Sequence, residues 1–122
     1  MPKSKSHKRS RQVSELILQQ VALIFRTELV NPLFTHLTIR EVDLSQDLSN
    51  AKIFVSLFDS ENKLKVMKAL ENATPKVRHY LSKRTALRYV PRLKFVYDDT
   101  SEKAARIEDL LREKEDDSTS TD

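Results

Sequence analysis

Residues 62–90, NKLKVMKALENATPKVRHYLSKRTALRYV, decide how the chain folds. Leu64, Met67 and Leu70 recur at helical spacing before Ala73-Thr74-Pro75, and Val77, Tyr80, Leu81 and Leu87 do so after it. Pro75 has no N–H for a helical hydrogen bond, and its ring disfavours a helical backbone at Thr74. The same proline suits the first turn of a new helix, with Thr74 as N-cap. The stretch therefore predicts one helix ending near Ala73 and another starting at Pro75, with Ala73, Thr74 and Pro75 as the kink between them. From Lys76 to Lys94 the chain carries Lys76, Arg78, Lys83, Arg84, Arg88, Arg92 and Lys94, with no acid among them. A broken helix pair beside so basic a stretch points to a surface that cradles a phosphate backbone.

Upstream, residues 51–58 alternate strictly: Ala51, Ile53, Val55 and Leu57 on one face, Lys52, Phe54, Ser56 and Phe58 on the other. This is a strand. Phe54 and Phe58 are expected to lie beneath a helix or loop rather than to stack on bases. Leu37-Thr38-Ile39 starts an earlier strand that resumes in the opposite phase at Val42-Asp43-Leu44, so a bulge is expected at Arg40-Glu41. Ser45 to Asn50 is turn material, and the two strands should pair antiparallel. Before them, Val13, Leu16, Ile17, Val21 and Ile24, with Leu29 a turn further on, form an amphipathic helix that Asn31-Pro32 ends.

Downstream, Leu93, Phe95 and Tyr97 alternate with Lys94 and Val96 in a third strand. Thr100-Ser101-Glu102 then caps a short C-terminal helix with a thin stripe of Ala104, Ile107, Leu110 and Leu111. The expected fold is α+β, in the order α-β-β-α-kink-α-β, with a three-stranded sheet covered by helices on one face. That is the element order of the type II K-homology (KH) domain. The expected boundaries are a disordered basic arm at 1–8, a folded domain at 9–112 and a disordered acidic tail at 113–122.

Composition removes several classes. The chain has 122 residues and no glycine, so the glycine loops of Walker and dinucleotide sites cannot exist in it. It has no cysteine, which excludes disulfide and thiolate chemistry within it. No stretch approaches the roughly 20 apolar residues of a membrane helix. The basic, Ser-rich start resembles an organellar transit peptide faintly, but reads as a soluble arm, and the cytoplasm is the expected compartment. The net charge of +4 conceals two basic runs and an acidic end. Lys3, Lys5, Lys8, Arg9 and Arg11 precede any acid, whereas ten acids from Asp98 onward outweigh Lys103, Arg106, Arg112 and Lys114. Charge runs are commonly mere solvated surface; two basic ones in one chain favour a polyanion partner.

No catalytic or metal constellation emerges. His7, His36 and His79 lack ligand spacing. Asp43 and Asp47 flank a turn, where Asp is favoured for local hydrogen bonding, so they are read as turn residues. Tyr80 and Tyr89 fit the core by helical phase at least as well as they fit base stacking. Lys76, Arg78, Lys83, Arg84 and Arg88 cannot all face one way at about 100° per residue, and Arg84 shares the apolar side.

Three stretches together resemble the ribosome-binding factor A family of bacteria. Val42-Asp43-Leu44-Ser45-Gln46-Asp47-Leu48-Ser49-Asn50-Ala51-Lys52-Ile53-Phe54-Val55 is similar to its hairpin, with a Ser-x-Asp-Leu turn leading to Ala-Lys and an apolar strand. Residues 87–100, with Leu87-Arg88, Val90-Pro91, Leu93-x-Phe95 and Asp98, match its Leu-Arg, Val-Pro and Leu-x-Phe-x-x-Asp signature. Arg11-Gln12-Val13 and Glu28-Leu29-Val30-Asn31-Pro32 resemble its opening helix. The resemblance implies a type II KH-like fold and a monomeric, non-catalytic factor without cofactors. It also implies binding to the free small ribosomal subunit and its 16S rRNA, with roles in 5′-end maturation and growth in the cold. The family's Ala-x-Gly kink aligns with Ala73-Thr74-Pro75, so proline replaces its glycine. Recognition is then expected through basic side chains and shape rather than close backbone approach. The residues expected to meet RNA are Lys8, Arg9, Arg11, Lys76, Arg78, His79, Lys83, Arg84 and Arg88. The competing readings are a general RNA-binding KH-like protein and a protein-interaction adaptor.

Overall fold

The computed structural model describes residues 2–58, 60–99 and 110–111. Helix α1 (Pro2–Thr27) is followed by a 3₁₀ turn at Pro32–Phe34, strands β1 (Leu37–Leu44) and β2 (Asn50–Leu57), helix α2 (Lys63–Arg84) and strand β3 (Arg92–Tyr97). The sheet order is β1-β2-β3, with β1 antiparallel and β3 parallel to β2. This is the expected α+β, KH-like architecture. Both helices pack on one sheet face: Ile17, Val21 and Ile24 from α1 and Val66, Leu70, Val77 and Leu81 from α2 meet Ala51, Ile53 and Val55 in one buried cluster. Phe25 joins the helix layer to the sheet through edge-to-face contacts with Phe34 at 5.0 Å and Phe95 at 5.8 Å.

One expectation is corrected in helix α2. The sequence placed a break before Pro75, yet α2 runs through it as one helix. Thr74 is not an N-cap there, because its hydroxyl donates back to Leu70 O at 2.9 Å, which is the chemistry of a helix interior. The reason is energetic. A mid-helix proline costs about 3 kcal/mol relative to alanine. The four buried residues Val66, Leu70, Val77 and Leu81 straddle it, each contributing roughly 1.5–3 kcal/mol. Packing on both sides of Pro75 holds one axis against the local preference. The stripe itself is Val66 and Leu70, not Leu64, which is 85% exposed.

Residues 2–8, expected as a structureless arm, fall by backbone within the bounds of α1. They contain no helix-breaking residue after Pro2, and proline at the first helical position is compatible with helix formation. The expected C-terminal helix and acidic tail lie outside the described residues, save Leu110 and Leu111, which are helical. Asp59 lies outside them as well, and α2 starts from Asn62 without a side-chain cap bond.

The hairpin matches its sequence closely. The register shifts between Ile39 and Glu41, the expected bulge position. In the turn, one carboxylate oxygen of Asp47 accepts from Ser45 Oγ at 2.7 Å, Ser49 Oγ at 2.7 Å and Ser49 N at 3.1 Å. The two serine hydroxyls, Ser49 first, and the Ser49 N–H favour the ionised form and lower the Asp47 pKa to about 2. Leu48 holds the left-handed conformation at φ 61°, a costly position for a bulky residue in a chain that has no glycine to offer. Its side chain packs against the core in return. Asp43 departs from the turn reading, since it lies within β1 opposite Lys52.

Candidate nucleic-acid interface

Helix α2 packs principally over β3, and α1 over β1, so the two helices present their basic residues at different edges of the sheet. At about 100° per residue, Lys65, Lys76 and Lys83 fall within roughly 20° of one line along α2. That line forms the flank of the helix toward α1. Lys76 is exposed there, at the rim of a groove of about 430 Å³ shared with Glu28, Asn31, Phe34 and Asn72. Arg78 projects from the opposite flank and donates to Val90 O at 3.1 Å. His79 and Ser82 stand on the crest between the two flanks, both exposed. The expectation that these cations cannot share one direction therefore holds.

The segment after α2 is placed differently from its helical reading. The helix stops at Arg84. Thr85 is extended at φ −128° and ψ 161°, its hydroxyl donates to Leu81 O at 2.6 Å, and it accepts from Leu87 N at 3.4 Å. Leu87 still reaches the core, but Arg88 and Tyr89 stand in an exposed coil. Tyr89, whose helical phase fits the core at least as well as base stacking, is 77% exposed, and the Arg88 guanidinium lies 5.6 Å from its ring centroid. Pro91 restricts only Val90, the residue before it, and so carries no signal of an end at Arg84. Tyr80 does pack against the core, with His79 edge-on at 5.6 Å.

Arg84 turns inward to α1. Its Nε donates to Gln20 Oε1 at 3.1 Å and one terminal nitrogen to Glu28 Oε1 at 3.2 Å, pinning the end of α2 to the end of α1. Its charge is thus neutralised locally, and it differs from Lys76 and Lys83, for which no such carboxylate appears among the described residues. Arg11 borders a separate groove with Glu15, Arg40 and Glu41 over β1, and Arg9 is exposed two residues before it. Lys8 lies in α1 by its backbone. The structure thus brings Arg78, His79 and Arg88 together, aligns Lys76 with Lys83, and keeps Arg9 and Arg11 apart from both sets.

Three features escaped the sequence reading. Lys65 extends the Lys76–Lys83 line, and its spacing of eleven residues from Lys76 was the available signal. Lys94 shares a groove of about 540 Å³ with Lys68 and Glu71 between α2 and β3. Phe58, expected beneath cover, is 90% exposed, with the His36 ring 5.9 Å away. Phe54 is half-buried on the same strand. Among the described residues no group of three His, Cys, Asp or Glu side chains is placed to hold a metal ion. No helix among them is long and apolar enough to cross a membrane.

A family model described as ribosome-binding factor A matches residues 9–111. The chain is 42% identical over 112 residues to ribosome-binding factor A of Coxiella burnetii strain CbuG_Q212, covering 90% of this chain and 94% of that one. It superposes on the crystal structure of ribosome-binding factor A from Thermus thermophilus with a TM-score of 0.65, at 26% identity over 72% of this chain and 94% of that one. It is similar also to the Thermus thermophilus homology model fitted into a cryo-EM map of a 30S–RbfA complex, with a TM-score of 0.55, 26% identity, and coverage of 75% and 93%.

Proposed function

The chain belongs to the ribosome-binding factor A family, and on that premise we propose that it is a monomeric, non-catalytic assembly factor of the cytoplasm. It binds the free small ribosomal subunit through 16S rRNA. The observation that carries this reading is the acid-free run from Lys76 to Lys94, which the fold distributes over α2, the 85–91 coil and β3. The similarity to a chain fitted into a 30S map supports the choice of polyanion. Lys76, Lys83, Arg78, His79 and Arg88 meet phosphates, while Lys8, Arg9 and Arg11 reach a second stretch of backbone. Arg84 acts indirectly, by fixing the two helices. Differential affinity for immature and mature subunits then holds one rRNA conformation during late maturation, including processing of the 5′ end and maturation in the cold. Neutralising about five phosphates gives a slope of log affinity against log salt of roughly −4 to −5. Reversing Lys76 and Lys83 to Glu should flatten that slope and weaken binding to small subunits; unchanged binding would overturn the reading.

A second reading has one observation in its favour. Phe58 is 90% exposed beside the His36 ring, and offers an aromatic side chain to a protein partner. Binding that ignores salt but is abolished by Phe58→Ser would establish it in place of the RNA reading.

A further inference from the structure

Pro75, Arg78, His79, Leu87, Arg88 and Tyr89 surround a shallow groove of about 380 Å³ where α2 meets the coil that follows it. We propose that this groove is a nucleotide-binding subsite that takes one unpaired RNA base, stacked on the free face of Tyr89, with its phosphate held by Arg78 and Arg88. The proposal rests on the RNA-binding reading above and adds to it a discrete stacking residue.

Four observations converge on it. Tyr89 is 77% exposed, so its ring is available to a ligand rather than committed to the core. Arg88 lies over the ring at 5.6 Å, so a base on the opposite face completes a base–aromatic–guanidinium stack. The platform is anchored: Arg78 donates to Val90 O at 3.1 Å on one side of Tyr89, and Leu87 packs against the core on the other. A backbone anchored on both sides of Tyr89 has little freedom left to lose when the ring stacks. Arg78 carries five N–H donors, and the bond to Val90 uses one of them, which leaves others for a phosphate oxygen.

The ring of Pro75 supplies an apolar wall at a position that offers no backbone donor. The groove therefore recognises a base by its face and a phosphate by charge, and does not read a sequence through the backbone. Bases splayed from single-stranded loops and bulges are the RNA elements that present such a face.

The test measures affinity of the full chain for purified small subunits, using Tyr89→Ala, Tyr89→Phe, Tyr89→Leu and the Lys76→Glu/Lys83→Glu pair. Removing a stacked base platform weakens binding roughly 5- to 100-fold. Tyr89→Ala and Tyr89→Leu should both show that loss with an unchanged salt slope, and Tyr89→Phe should retain wild-type affinity. Thermal melts of each variant verify that the exposed position leaves the fold intact. If Tyr89→Leu binds as well as Tyr89→Phe, the contact is merely apolar, as a protein partner would make, and the subsite is overturned. If every Tyr89 variant binds like wild type while the lysine reversals weaken binding, the subsite fails and the RNA-binding reading survives. If neither set has an effect, both fail.

Discussion

Replacing Pro75 with Ala distinguishes one continuous α2 from two helices meeting at a cap. Pro75 is exposed and lies inside Lys63–Arg84, so its removal forfeits no burial. In a relaxed helix interior the exchange is worth about 3 kcal/mol in favour of Ala. The fold has already accommodated the proline, which lowers the gain. Regaining one backbone hydrogen bond, to Glu71 O, contributes about 0.5–1.5 kcal/mol, offset by about 0.4–1 kcal/mol lost because the unfolded chain becomes more flexible. Between these limits Pro75→Ala should stabilise the protein by about 1–2 kcal/mol. Far-UV circular dichroism would register this as a rise in Tm of roughly 5–15 °C. Thr74→Ala is the companion variant. Thr74 back-bonds to Leu70 O, so its loss should change stability by less than about 0.5 kcal/mol, whereas loss of a true N-cap costs about 1 kcal/mol. A Pro75→Ala variant less stable than wild type, together with a costly Thr74→Ala, would refute the continuous helix and restore the cap.

Three further outcomes follow from the same structure. Arg84→Ala should cost less than about 1 kcal/mol, because the Glu28 pair is partly exposed, and should leave the salt slope of subunit binding unchanged. Leu70→Ala, at a fully buried position, should cost about 2–5 kcal/mol by urea denaturation with an unaltered m value. The depressed Asp47 pKa means that its contribution is complete above the ordinary carboxylate value of 3.8 and is lost as pH falls toward about 2. Acid melts of wild type and Asp47→Asn should therefore converge across that window, and NMR titration should place the Asp47 midpoint near its lower end.

The hairpin was legible because its signals are local. Strict alternation at residues 51–58 assigns the faces, the phase slip at Arg40-Glu41 marks the bulge, and Ser45, Asp47 and Ser49 close the turn among themselves. Helix α2 was less legible because a local rule and a tertiary one disagree at Pro75. Periodicity points to Leu64 as the lead of the stripe, and the sheet takes Val66 in its place. The basic field of the candidate interface was evident from charge, but not its division. Arg84 pairs with Glu28 across 56 residues of sequence, which spacing along one helix cannot reveal. The helical phase that fitted Tyr89 to the core does not extend past Thr85, where the backbone turns extended at φ −128° and ψ 161° and the helix ends. Phe58 was misplaced because alternation assigns a face without saying what covers it.

Co-sedimentation of the full chain with purified small and large ribosomal subunits, at low and high salt, tests the central claim most directly. The account predicts binding to the small subunit that is selective at low salt and lost at high salt, with the Lys76→Glu/Lys83→Glu variant weakened at low salt already. Equal recovery with both subunits, or binding to the small subunit that salt does not reduce, would contradict it.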